Sequence, residues 1–98
     1  MLEIRQSEVF VAWLSALRDR RAVARIAERL RRLALGNPGD VKPIGEGLSE
    51  LRIDYGPGYR VYFAQRGNLL IIVLCGGDKT NQGRDIARAK ALAKEIYP

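Results

Sequence analysis

Leu2-Glu3-Ile4-Arg5 alternates apolar and polar residues, the period of a half-buried strand. Ser7 then offers a helix N-cap, with Glu8 in the first turn where the helix dipole favours an acid. Val9, Phe10, Trp13, Leu14 and Leu17 follow at helical spacing, with Phe10 and Trp13 as the expected core anchors. Asp19-Arg20 breaks the pattern. It resumes through Val23, Ile26, Ala27, Leu30, Leu33 and Ala34, until Gly36 closes the second helix and Pro38 lies beyond it. The first third therefore predicts a strand followed by an αα-hairpin.

From Gly36 to Gly47 the chain reads as turn chemistry, Gly-Asn-Pro-Gly-Asp and then Pro43. Leu51, Ile53 and Tyr55 alternate with Glu50, Arg52 and Asp54, as a half-buried strand does. Gly56-Pro57-Gly58 makes a tight turn into Tyr59, Val61 and Phe63, which alternate with Arg60 and Tyr62. After Gly67-Asn68, the run Leu69 to Cys75 predicts a strand buried on both faces. Gly76-Gly77-Asp78-Lys79 ends it, and Ile86, Ala89, Ala93 and Ile96 carry a closing helix to Tyr97. The predicted order is β-α-α-β-β-β-α. The fold class is α+β: a small, mainly antiparallel sheet with an N-terminal αα-hairpin and a C-terminal helix, the helices on one face.

The 98 residues, 47% of them hydrophobic, suffice for one domain over 1–98 with a single compact core. The chain has no histidine, which removes the commonest general base and the commonest metal ligand together. Its one cysteine, Cys75, excludes an internal disulfide and a multi-cysteine zinc site, and reads as a small buried hydrophobe. Gly76-Gly77 is too short for a nucleotide-binding fingerprint, so neither metal nor cofactor is expected. The longest apolar run, Leu69 to Cys75, falls far short of the ~20 residues of a spanning helix. No export signal is read at the N-terminus, and a cytoplasmic setting without membrane contact is expected.

The net charge of +6 is unevenly placed: +4 over residues 1–36, −1 over 37–78 and +3 over 79–98. A basic balance suits a polyanionic partner. Arg18, Arg21, Arg25, Arg29 and Arg32 recur at three- and four-residue spacing, with Glu28 off their axis, and read as an ordinary exposed stripe. A smaller set has more chemical promise. If Tyr59, Val61 and Phe63 face the core, then Arg60 and Tyr62 face away from it, and Arg52 does the same on the neighbouring strand. Lys79 follows the Gly-Gly pair, whose bare backbone can pass close to a ligand. Arg52, Arg60, Tyr62 and Lys79 are thus expected to line one basic concavity on an open sheet face, with cations for phosphates and an aromatic for a base. Each also has a plain structural use. Arg60 can pair with Glu50 or Asp54, Lys79 can be solvated, and Asp78 can serve a helix start with Thr80 or Asn81.

The run from Gly47 to Phe63, with its Gly56-Pro57-Gly58-Tyr59-Arg60-Val61-Tyr62-Phe63, resembles the RelE/ParE toxin superfamily, most closely its HigB-like addiction-module branch. Leu74-Cys75-Gly76-Gly77-Asp78-Lys79-Thr80-Asn81-Gln82, followed by Asp85-Ile86-Ala87-Arg88-Ala89, is a second point of resemblance. The resemblance implies a RelE-like fold and the toxin of a bacterial toxin–antitoxin pair. It implies a metal-independent endoribonuclease that cuts mRNA on the ribosome, with a cognate helix-turn-helix antitoxin as partner. ParE-like members poison DNA gyrase instead, and a non-toxic nucleic-acid-binding module on the same fold is the remaining alternative. By that resemblance Arg60 contacts the scissile phosphate, Lys79 serves the phosphate or leaving group, and Arg52 is the basic residue of the preceding strand. Arg84 and Arg88 on the closing helix join Tyr62 as expected RNA contacts. Where relatives carry a tyrosine or histidine, this chain has Asp85 at the helix start and Tyr97 in the tail.

Cleavage through the 2′-hydroxyl needs a base for that hydroxyl, positive charge on the phosphate and an acid for the leaving oxygen. Arg60 suits the charge, being bidentate and always protonated, and for the same reason makes a poor base. Lys79 transfers protons only if its surroundings lower its pKa. Asp78 and Asp85 are alternative bases and Tyr62 a weaker one.

Overall fold

A computed structural model describes residues 1–96. The elements are β1 (Glu3–Gln6), α1 (Glu8–Ala16), α2 (Arg20–Ala34), β2 (Val41–Gly45), β3 (Leu48–Ile53), β4 (Tyr59–Arg66), β5 (Leu70–Asp78), a 3-10 turn (Lys79–Asn81) and α3 (Gln82–Ile96). Tyr97, to which the sequence carries the closing helix, lies outside the described residues. The five strands lie in the order β1-β5-β4-β3-β2. β1 pairs with β5 in parallel, and every other pairing is antiparallel. The class is α+β, as expected.

Helix boundaries follow local chemistry. The Ser7 hydroxyl caps α1 by accepting from the Phe10 N–H at 3.0 Å, and it donates to the Leu74 carbonyl at 2.5 Å. One side chain thus caps a helix and ties it to β5. Ser7→Ala is expected to lower stability by about 1–2 kcal/mol, read as a shift in the denaturant midpoint at unchanged slope. Asp19 caps α2 by accepting from the N–H groups of Arg21 and Ala22. Ala22, Ile26, Leu30 and Leu33 form the buried stripe of that helix.

Two expectations change. The segment read as turns contains an edge strand, β2, paired with β3. Its sequence, Val-Lys-Pro-Ile-Gly, carries a proline that a central strand would not tolerate; at a sheet edge the missing N–H costs no ladder bond. The helices also do not share one face. Phe10, Ile26, Leu30 and Leu33 of α1 and α2 pack on Leu51, Ile53, Val61, Phe63, Ile71 and Val73. Ala89 and Ala93 of α3 pack on Leu48, Tyr62, Ala64, Ile72, Leu74 and Cys75. The sheet is therefore a middle layer, and the face read as open lies under α3.

Gly76 and Gly77 fit this three-layer arrangement. A Cβ on Gly76 would lie 2.4 Å from the Trp13 ring, and one on Gly77 would lie 2.0 Å from the Asp85 carboxylate. The pair makes room for a side chain from each helical layer, rather than for a ligand.

Candidate functional site

Where β3, β4 and β5 converge on the turn at residues 54–58, a cavity of about 360 Å³ opens. Arg52, Arg60 and Lys79 line it, together with Asp40, Asp54 and the Gly56-Pro57-Gly58 turn. Arg52 and Arg60 are direct partners across β3 and β4. Lys79 stands at the start of the 3-10 turn, where β5 ends. Gly58, with φ at +81°, holds a left-handed conformation that side-chain-bearing residues rarely adopt, and so shapes the turn beside Arg60 and Lys79. Three of the four residues expected to share a basic concavity do so.

The three cations differ in how firmly they are held. Arg60 is largely buried: its Nε lies 3.9 Å from Glu50 Oε1, and its Nη1 donates to the carbonyls of Gly58 and Tyr59 at 3.3 and 3.2 Å. Arg52 is half-exposed and pairs with Asp40 at 3.3 Å. Lys79 is exposed and makes no ion pair among the described residues. The groove therefore offers a fixed guanidinium, a partly neutralised one and an exposed ammonium without an ion pair among the described residues.

The fourth residue, Tyr62, is 0% exposed and is not in the groove. Its alternation places it on the Arg60 face, but α3 roofs that face. Its hydroxyl lies buried without a hydrogen-bond partner, and burial with Glu50 nearby holds the phenol above its ordinary value of 10. A buried, firmly protonated phenol neither stacks on a base nor accepts a proton. Asp78 does not line the groove; its carboxylate caps the 3-10 turn by accepting from the Thr80 N–H at 2.8 Å. Asp85 is buried against Gly77, and desolvation raises its pKa. Arg84 is exposed and lies 4.0 Å from Asp85. Arg88 is also exposed and lines a separate groove with Glu8, Val9, Ala12 and Trp13. Neither Arg84 nor Arg88 joins the cavity at Arg60.

The arginine stripe is exposed, as expected, at Arg18, Arg21, Arg25 and Arg32, and Arg29 is the exception. Arg29 donates to the carbonyls of Arg52, Pro38 and Asp40 at 2.6, 3.1 and 3.2 Å, fastening α2 to the strand and loop that carry the Arg52–Asp40 pair. Arg25 stacks on the Tyr55 ring, and Glu28 neutralises Arg31 and Arg32.

Sequence reasoning gave Glu50 only as a possible partner for Arg60. It is 0% exposed, and it accepts a 2.6 Å hydrogen bond from Gln82 at the start of α3. The available signal was its position on the Arg60 face of β3. Cys75 is buried as expected, and desolvation pushes its thiol up to about 11 from an ordinary value of 9. A raised thiol pKa stabilises the fold below the unfolded value, and this contribution is lost as pH climbs from about 9 toward 11. Thiol-reactive dye at pH 8 is expected to label Cys75 only in denaturant; rapid labelling of the native chain would contradict its burial.

Among the described residues no group of His, Cys, Asp or Glu is arranged to hold a metal ion, and no helix is long and apolar enough to cross a membrane. A family model described as "Phage derived protein Gp49-like (DUF891)" matches residues 12–97. The chain belongs to the phage-derived Gp49-like family. Its match spans α2, the whole of β2 to β5, α3 and every residue of the cationic groove. A relative in Haemophilus influenzae, an uncharacterized protein, is 48% identical over 95 residues, covering 97% of this chain and 96% of its own. No solved structure matches the chain.

Proposed function

We propose that this Gp49-like protein is the toxin of a toxin–antitoxin pair and acts as a metal-independent endoribonuclease on ribosome-bound mRNA. The observation that carries the reading is the groove in which Arg52, Arg60 and Lys79 meet. These are the strand arginines and post-strand lysine that the resemblance to RelE- and HigB-like toxins singles out. The groove's one firmly held guanidinium suits a phosphodiester. The attacking oxygen then comes from the RNA itself: the 2′-hydroxyl gives its proton to solvent water as its oxygen bonds to phosphorus, the bond to the 5′-oxygen breaks, that oxygen takes a proton from solvent, and a 2′,3′-cyclic phosphate and a 5′-hydroxyl result. Arg60 holds the phosphate and stabilises the charge that builds on it. Lys79, exposed at the rim, faces the leaving side. With no histidine in the chain, alignment of the RNA by a larger host supplies the remaining rate.

The reading is tested by inducing the protein in bacteria, alone and with Lys79→Ala, and mapping mRNA ends. Growth arrest with new 5′-hydroxyl ends inside translated messages, both reduced in the variant, is the expected result. Arrest with stalled gyrase and intact mRNA would instead make the protein a gyrase inhibitor. Unimpaired growth would make it a non-toxic binding module.

A further inference from the structure

Glu50 is a carboxylate with no exposed surface, yet its environment does not saturate it. Oε2 accepts from Gln82 at 2.6 Å, but Oε1 has no hydrogen-bond partner, and neither does Arg60 Nε 3.9 Å away. Buried polar atoms in folded proteins are normally satisfied, and a loose buried pair departs from that pattern for a reason. A tight, bidentate pair would have spent the arginine fork on Glu50. A loose one balances the buried charge of Arg60 while Nη1 holds the Gly58 and Tyr59 carbonyls, and leaves Nη2 for an incoming anion. The second contact matters as much. Gln82 opens α3 directly after the 3-10 turn that holds Lys79, so one carboxylate lies beside Arg60 and is bonded to the helix that follows that turn.

We infer that Glu50 is a positioning residue, which from beneath the groove sets Arg60 and Lys79 at a fixed separation for a phosphodiester. It touches no substrate, since it has no exposed atom. The inference rests on the groove being a phosphate clamp.

The test uses the full chain as wild type, Glu50→Gln, Glu50→Asp and Gln82→Ala. Three quantities are read: thermal unfolding, the Arg60 Nε–Hε resonance in nitrogen-15 NMR, and affinity for a short 2′-O-methyl RNA that binds without being cut. Glu50→Gln is expected to unfold cooperatively, move the Arg60 resonance and weaken RNA binding about tenfold. Glu50→Asp, which keeps the charge, recovers part of that affinity. Gln82→Ala, half-buried at the helix start, removes the hydrogen bond to Oε2 but keeps both charges of the Glu50–Arg60 pair; it moves the same resonance and weakens binding in the same direction. Should Glu50→Gln fail to fold, Gln82→Ala decides. An unmoved Arg60 resonance with wild-type affinity in the folded variants overturns the inference. A wild-type chain that binds no RNA refutes the clamp instead, and the resonance alone then decides whether Glu50 positions Arg60.

Discussion

Replacing Arg60 by lysine is expected to lower RNA cleavage by about 10²–10³-fold while the protein stays folded. The buried Glu50 keeps a positive partner, so the interior remains neutralised. What is lost is the planar guanidinium, which can hold the Gly58 and Tyr59 carbonyls and a phosphate at once, where an ammonium offers a point charge. Arg60→Ala is a worse probe. It strands Glu50 without its counter-ion, and breaking a buried pair from one side costs about 3–5 kcal/mol, a large share of a small domain's stability. Lost activity in that variant would therefore report unfolding as much as chemistry. The measurement is mRNA cleavage in a translating extract, alongside the unfolding midpoint of each purified variant. Wild-type cleavage by folded Arg60→Lys would remove the planar guanidinium from the mechanism.

A large stability effect from one added methyl group is expected at Gly77. An alanine there would place its methyl carbon 2.0 Å from an Asp85 oxygen, between a central strand and a helix start that cannot readily separate. Such overpacking costs about 1–3 kcal/mol or more. For a chain of this length that corresponds to a fall in melting temperature of at least several degrees. The penalty belongs to the pair, so Gly77→Ala combined with Asp85→Ala should recover most of it, a coupling that a double-mutant cycle reads directly. Strictly additive effects would show that the glycine is needed for another reason.

This origin of the Gly-Gly pair illustrates what local sequence hides. Gly76-Gly77 before Lys79 suggests backbone laid bare for a ligand, yet both vacancies are filled from within, by Trp13 on one face and Asp85 on the other. The same holds for Tyr62. Strict alternation put it opposite Val61 and Phe63, which is correct, but whether that opposite face is water or protein depends on where α3 lies. One clue was present. A run such as Leu69 to Cys75, apolar at every position, needs cover on both sides, and a strand covered on both sides implies a second helical layer over its neighbours too. The edge strand β2 was hidden by Pro43 and by glycines at both ends, because turn residues and a short edge strand share one composition.

The sequence by itself determined the elements whose patterns are local. The cap at Ser7, the break at Asp19-Arg20, the stripe of α2, the meander from β3 to β5 and the nearness of Arg52 to Arg60 all follow from periods and turns a few residues long. Tertiary structure alone decided which charges are free to act. It buried Tyr62 and Glu50, turned Asp78 into a cap, sent Arg88 to another groove and engaged Arg29 with three carbonyls. It left Arg52, Arg60 and Lys79 together at one end of the sheet. The physical reason is that a charged side chain's role depends on its desolvation and its partners, and both come from elements distant in sequence.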